Sequence, residues 1–135
     1  MYTFDYYTKG SCMEGFRYIV EGNNVLDVTV LGQSGCPGQK VVLCNTAMMI
    51  KDIDKIVELW GNIACAGSEA KPKTSCSQQF CIGLLLYKKM MLGGELTEEQ
   101  QSRIKNFKQI ENKEKELERI QNKLTKRIKY NNKLV

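Results

Sequence analysis

Three consecutive residues that could do chemistry precede a run typical of a buried helix. They are Thr74, Ser75 and Cys76, in the stretch KPKTSCSQQFCIGLLL at residues 71–86. Threonine and serine hydroxyls accept the unpaired amide hydrogens of a helix N-terminus, so we predict a helix start with Cys76 in the first turn. The positive end of the helix dipole favours a thiolate, its metal complex or a bound anion. The alternative is that Cys76 is only a small buried residue.

The chain has six cysteines and no histidine. Without histidine it lacks the usual general base and the mixed Cys/His zinc sites, so we expect a protein that is not an enzyme. It has no apolar run of about 18 residues and no start typical of a signal peptide. We therefore expect a cytoplasmic protein with no membrane contact, in which reduced cysteines bind metal, perform redox chemistry or pack.

A glycine-rich stretch, GQSGCPGQK at residues 32–40, leads into another predicted helix. The backbone amides of Gly35 and Gly38, the helix start and the Lys40 ammonium are the parts from which an anion site is built. If the two helix starts face one cleft, a nucleotide or another phosphate-bearing ligand would suit it. The spacing matches neither a P-loop nor a dinucleotide fingerprint, so a simple turn is the alternative.

The net charge of +5 belongs to the C-terminal part of the chain. Residues 1–96 carry 9 basic and 9 acidic residues, whereas residues 97–135 carry 11 basic and 6 acidic residues. The segment 119–133 is basic with no acidic residue. This end is suited to an acidic protein surface or to nucleic acid.

One long amphipathic helix is predicted for this tail. Thr97 followed by Gln100 matches a capping box, which marks a helix start. An apolar stripe follows at helical spacing: Ile104, Phe107, Ile110, Leu117, Ile120, Leu124 and Ile128. We expect the stripe to assemble a homo-oligomer, and the alternative is that it covers its own domain.

The residues upstream of the tail read as strands first and helices later. YTFDYY predicts a strand, and GFRYIVEGNNVLDVTVLG predicts a hairpin around Gly22-Asn23-Asn24. Helices are predicted for KDIDKIVELWGNIAC up to Gly61 and after Ser75. The apolar run KVVLCNTAMMI could be a strand or a helix by its period, and its Ala and Met content favours a helix. The sequence therefore predicts an α+β fold, an antiparallel sheet of about three strands covered by helices. We place a boundary between this domain, residues 1–92, and a basic helical extension, residues 93–135.

Four segments resemble the TSCPD domain family, which is named for a Thr-Ser-Cys-Pro-Asp motif. They are YYTKGSC, GQSGCPGQ, IVELWGNIAC and TSCSQQ, in matching order and spacing. The family occurs as small free-standing proteins and as a C-terminal module of some vitamin B12-dependent ribonucleotide reductases. The resemblance thus implies a link to ribonucleotide metabolism. Ser77 and Gln78 replace the family's Pro-Asp, and Gln39 stands where asparagine is usual.

The resemblance also implies a set of four recurring cysteines. In this sequence they are Cys12, Cys36, Cys65 and Cys76, which leaves Cys44 and Cys81 as packing residues. Each of the four lies beside a predicted turn or helix end, so their thiolates could converge on Zn in a closed tetrahedral site. No pair has Cys-x-x-Cys spacing, and a redox-active pair or reduced packing cysteines stay open as alternatives.

Three functional hypotheses follow from these features. The first is a non-catalytic module that binds a nucleotide or other phosphate-bearing ligand, through Gly35, Gly38, Lys40, Thr74 and Ser75. Such a module would serve ribonucleotide metabolism, or would sequester a nucleotide signal as a bacterial or phage protein. The second is a metal-stabilised, oligomerising module whose basic helix contacts protein or nucleic acid. The third is a thiol redox enzyme.

Overall fold

The three strands predicted at the N-terminus are present. The computed structural model describes residues 1–33, 37–64, 68 and 73–134. Strand β1 spans Tyr2–Tyr7, β2 spans Gly15–Glu21 and β3 spans Asn24–Leu31. All three run antiparallel to their neighbours, with β2 in the middle.

The hairpin between β2 and β3 confirms the turn that the sequence predicts, with Gly22 at a φ of 56°. Tyr18 lies opposite Val28 in this hairpin. A bulge after Ile19 then shifts the pairing, so that Val20 lies opposite Val25.

Three helices pack on one face of this sheet. Helix α1 spans Pro37–Ile50, α2 spans Ile53–Trp60 and α3 spans Cys76–Met91, and all three confirm the predicted helices. The core between the layers is rich in aromatic rings, among them Tyr18 and Phe80, whose centroids are 5.2 Å apart. These layers confirm the α+β class.

The tail consists of three elements instead of the single helix that its stripe predicts. Helix α4 spans Glu98–Arg103, strand β4 spans Ile104–Gln109 and helix α5 spans Lys113–Leu134. The predicted capping box at Thr97 is present, but the helix that it begins ends after six residues. Strand β4 pairs with β1 and gives a sheet of four strands, in the order β3-β2-β1-β4, rather than about three.

A bulge explains why the spacing of the stripe was misleading. Asn106 has a φ of 56° and lies where the register between β1 and β4 shifts. The extra residue allows Ile104 and Phe107, three apart, to pack against the same core, as they would on a helix. The Phe107 ring stacks on Tyr2 with centroids 5.4 Å apart.

A buried carboxylate joins β4 to the rest of the sheet. Asp5 is 1% exposed and accepts hydrogen bonds from Arg17 at 2.8 and 3.0 Å and from the Asn106 amide at 2.8 Å. Burial alone would raise the pKa of Asp5. The hydrogen bonds from Arg17 and Asn106 and the charge of Arg17 outweigh burial and hold the pKa below its usual range.

Helix α5 packs on the other face of the sheet through its first half. Ile120 is buried there, and Lys123 and Arg119 pair with the buried Asp27 at 3.0 and 3.5 Å. Lys113 pairs with Glu21. No helix in the described part of the chain is both long enough and apolar enough to span a membrane.

Acid should weaken the hydrogen bond between the Asp5 carboxylate and β4. Because the folded-state pKa of Asp5 is lowered, its ionised form stabilises the fold fully above an unfolded-state pKa of about 3.9, and this stabilisation is lost as pH falls below that value. Asp5→Asn should lower the free energy of unfolding at pH 7 by about 1–3 kcal/mol and make the decline towards pH 3 shallower. Urea unfolding at both pH values measures this.

Asp54→Asn is the matched control. Asp54 pairs with Lys88 at the surface, where solvent screens the pair, so its loss should lower the free energy of unfolding much less than Asp5→Asn does. Equal declines towards acid in wild type and Asp5→Asn would contradict the role of Asp5.

Candidate functional site

The start of α3 is built as the sequence predicts. Ser75 is the N-cap residue, and its hydroxyl accepts from the Gln78 amide at 3.0 Å. The same hydroxyl donates to the Ile63 carbonyl oxygen at 2.6 Å, which holds the segment after α2 against α3. Cys76 lies half-buried in the first turn, where the prediction placed it.

A buried glutamine, which the sequence analysis did not single out, joins this helix start to the sheet. Gln79 is 5% exposed, and its side-chain oxygen accepts from the Tyr6 hydroxyl at 2.6 Å and from the Lys9 backbone amide at 3.1 Å. Its side-chain nitrogen donates to the Thr74 hydroxyl oxygen at 3.0 Å. Burial raises the pKa of Tyr6 to about 12, so its hydroxyl keeps the proton that it donates at neutral pH.

Thr74 and Gln78 extend the same network. The Thr74 hydroxyl donates to the Gln78 side-chain oxygen at 2.7 Å. The Gln78 side-chain nitrogen donates in turn to the Gly61 carbonyl oxygen at the end of α2, at 3.1 Å. The network thus links β1, the end of α2 and the first turn of α3.

A cleft of about 550 Å³ lies beside this network, lined by residues of α3, α4 and the end of β1. Thr74 and Gln79 line it together with the basic residues Lys9, Lys73 and Arg103. Among the described lining residues the only acidic one is Glu99, and Ile82 and Leu86 contribute an apolar surface. The charges therefore favour an anionic ligand.

Glu99 already occupies part of this positive environment. Its carboxylate lies 2.7 Å from the Lys9 ammonium and 3.7 Å from Arg103 Nε. The hydrogen bond and charge of Lys9, assisted by the charge of Arg103, hold the pKa of Glu99 below its usual range. The Glu99 carboxylate therefore lies between two positively charged side chains of the cleft.

Arg103 is held by the end of β1. Its Nη1 donates to the Thr8 carbonyl oxygen at 2.8 Å and to that of Tyr7 at 3.3 Å. Its Nε is buried and has no hydrogen-bond acceptor within the described part of the chain, with the Glu99 carboxylate at 3.7 Å as its charged neighbour.

A side-chain hydrogen bond joins the first turns of α1 and α3, but no residue of α1 is among the described residues that line the cleft. The Gln39 amide in the first turn of α1 donates to the Ser77 hydroxyl at 3.0 Å. Gly38 lies in the same turn, whereas Gly35 lies outside the described residues. Lys40 donates to the Gln33 carbonyl oxygen at 3.2 Å and is not among the residues that line the cleft.

Only two of the four cysteines with a predicted metal role are described. Cys12 is exposed and Cys76 is half-buried, while Cys36 and Cys65 lie outside the described residues. No three metal-ligating side chains cluster within the described ranges. The cysteines predicted to pack, Cys44 and Cys81, are buried as expected. Burial raises the pKa of Cys81 to about 12, so it is a neutral thiol.

Described residues near each of the four cysteines lie close to the first turn of α3. Ser68 donates to the Gly10 carbonyl oxygen at 3.4 Å and accepts from the Thr74 amide at 3.3 Å, and Gly10 precedes Cys12 by two residues. Ile63, two residues before Cys65, accepts from Ser75. The Gln39–Ser77 bond involves the residue three positions after Cys36.

Comparisons with protein-family models, curated proteins and solved structures found no match. The resemblance to the TSCPD family therefore stays a prediction, carried by the four quoted segments.

Proposed function

We propose that this protein is a non-catalytic module that binds a small phosphate-bearing ligand in the cleft between α3 and α4. The observation that carries the proposal is the lining of this cleft. Lys9, Lys73 and Arg103 face a space of about 550 Å³ that also has hydrogen-bonding and apolar walls. This volume falls within the range of small-molecule sites.

Different residues of the cleft would contact different parts of the ligand. Lys9 and Lys73 are exposed lysines that can reach phosphate oxygens, and the Arg103 guanidinium, held by the Thr8 carbonyl oxygen, adds a positive charge in a fixed position. Ile82 and Leu86 provide apolar surface for a base or another ring. This combination favours a nucleotide over inorganic phosphate.

Glu99 sets the strength of binding in this proposal. A phosphate that approaches Lys9 and Arg103 must displace the Glu99 carboxylate or share the cations with it. The Glu99 carboxylate repels an anionic ligand, so it lowers the affinity of the cleft for anions.

The resemblance to the TSCPD family supports a nucleotide among phosphate-bearing ligands. A binding module without a histidine base fits storage, delivery or sequestration better than turnover. We therefore extend the proposal to a role in ribonucleotide metabolism or in sequestering a nucleotide signal inside a bacterial or phage-infected cell.

Substitutions in the cleft should change ligand affinity in opposite directions. Lys9→Ala and Lys73→Ala should each weaken binding by about 10- to 100-fold, because each removes a charge-assisted hydrogen bond of about 1.5–3 kcal/mol. Glu99→Gln should tighten binding, because it frees Lys9 and Arg103. Isothermal titration calorimetry with orthophosphate, ADP and cyclic di-AMP measures these affinities.

Two further lysine variants belong in the same titrations, one as a control and one as a test of the alternative site. Lys55→Ala removes an exposed charge on α2, away from the cleft, and should leave affinity unchanged. Lys40→Ala tests the glycine-rich turn: if it alone weakens binding, the ligand lies at the start of α1 and the cleft is not the site. No heat with any of the three probes would contradict the proposal.

A bound zinc ion is a second candidate function, and the convergence of chain segments at the first turn of α3 favours it. Gly10, Gln39 and Ile63 belong to segments that carry Cys12, Cys36 and Cys65, and Cys76 lies in that turn. Four thiolates would suit Zn²⁺ and would stabilise the fold by crosslinking the loops to α3. In this candidate the ion is structural, and the basic tail supplies contacts to protein or nucleic acid.

Metal content should separate the two sets of cysteines. Cys12→Ser and Cys76→Ser should each abolish zinc in purified protein and lower its melting temperature, because a three-thiolate site binds zinc much more weakly. Cys44→Ala should keep the metal, since Cys44 packs in the core. Elemental analysis after expression in zinc-supplemented medium measures this. Wild-type protein that carries no zinc would contradict the metal site.

A further inference from the structure

The second half of α5 is exposed beyond the contacts that hold its first half. Among the described residues of the helix, Lys123 is the last that makes a polar contact with the sheet, through Asp27. The described side chains from Thr125 onward are all exposed, and they include Lys126 and Ile128, which lie on nearly opposite sides of the axis. About 16 Å of helix lies beyond Lys123. This half of α5 is therefore accessible from more than one side.

A row of lysines runs along one side of this exposed half. Lys126, Lys129 and Lys133 fall within about 60° of one another around the axis at 3.6 residues per turn. All three are exposed, and no carboxylate among the described residues lies within ion-pair distance of them. The helix dipole accounts for a base in the last turn, but Lys126 and Lys129 lie further inside the helix, where its effect has fallen off. Their charges are thus available to a partner.

The residues around this lysine row favour nucleic acid over an acidic protein surface. Residues 119–133 contain six basic residues and no acidic one. The apolar residues Leu124 and Ile128 fall on roughly the opposite side of the axis from the lysines. The centre of a protein–protein interface is depleted of charged residues and enriched in aromatic ones, whereas protein–DNA interfaces are polar and strongly positive. The lysine row therefore matches phosphate groups.

The dimensions of the helix favour a DNA duplex among nucleic acids. An α-helix with its side chains is about 10–12 Å across. The major groove of B-form DNA is about 12 Å wide and admits one helix, whereas that of A-form RNA is deep and narrow. In the first half of α5 the exposed Glu114 and Glu118 would repel phosphates. The contact is therefore confined to the second half.

We propose that the second half of α5 binds double-stranded DNA along the major groove. Lys126, Lys129 and Lys133 contact phosphates of one strand, because all three lie on one side of the helix. Phosphate contacts of this kind position the helix without selecting a base sequence. The contact requires neither a ligand in the cleft nor a zinc ion, so it stands or falls separately from both candidate functions.

The salt dependence of binding reports how many lysines contact phosphate. With three contacts, the logarithm of the association constant should fall with the logarithm of salt concentration at a slope of about −2.7. Lys126→Gln/Lys129→Gln should reduce the slope to about −0.9 and weaken binding at about 0.1 M salt by at least about tenfold. Glutamine forms helices as well as lysine does, so α5 is retained. Fluorescence anisotropy of the full chain with a labelled DNA duplex of about 20 base pairs measures both quantities.

Two further double variants separate a specific contact from net charge and from loss of folding. Lys55→Gln/Lys89→Gln removes the same charge from α2 and α3 and should leave the slope unchanged. Lys126→Arg/Lys129→Arg keeps the charge on α5 and should bind as wild type does. Equal losses in the two glutamine variants would overturn the proposal. So would equal binding of an RNA duplex or of a polyglutamate peptide, or a wild type that binds no DNA at about 0.1 M salt.

Discussion

The buried amide of Gln79 is the contact on which the candidate site depends. Within the described residues, it is the one side chain of α3 that bonds to β1, to the loop after β1 and to Thr74 just before its own helix. A buried amide that lost these partners would be left without hydrogen bonds, at a cost of about 1–3 kcal/mol for each unsatisfied group. The network therefore fixes where Lys9 and Thr74 stand relative to α3, and so fixes one wall of the cleft.

Buried carboxylates and their partners hold the tail against the sheet. The sheet face away from α1, α2 and α3 carries two buried carboxylates, Asp5 and Asp27, and residues of the tail satisfy both. Asn106 donates a hydrogen bond to Asp5, and Lys123 and Arg119 form ion pairs with Asp27. Part of the positive charge that the composition concentrates in residues 97–135 thus serves the fold. Other basic residues of the tail are exposed, among them Lys105 and Lys108 in β4 and Lys126, Lys129 and Lys133 in the second half of α5.

How much the sequence could predict depends on how local each signal is. The caps at Ser75 and Thr97 and the turn after β2 are set by neighbours within four residues, and all three are confirmed. Strand β4 could not be recognised, because Ile104 and Phe107 share a helical spacing that only the bulge at Asn106 reconciles with a strand. Its pairing with β1 also depends on residues about 100 positions away in the chain.

The candidate site was predictable only in part for the same reason. Thr74 was identified from its capping position, but Lys9, Arg103 and Gln79 belong to the cleft through long-range contacts that no short motif encodes. The sequence contained one indication for Gln79, because it is a glutamine within an apolar helix. A buried glutamine requires hydrogen-bond partners.

Amide hydrogen exchange at Lys9 tests the role of Gln79 most directly. Tyr6→Phe/Gln79→Leu removes the acceptor of the Lys9 amide without leaving the Tyr6 hydroxyl unpaired, and Tyr6→Phe alone is its matched control. If Gln79 fixes this wall of the cleft, exchange at Lys9 by NMR should be faster by on the order of tenfold in the double variant, with the β2–β3 hairpin unaffected. Equal exchange at Lys9 in the two variants, or a rise of equal size throughout the hairpin, would contradict this account.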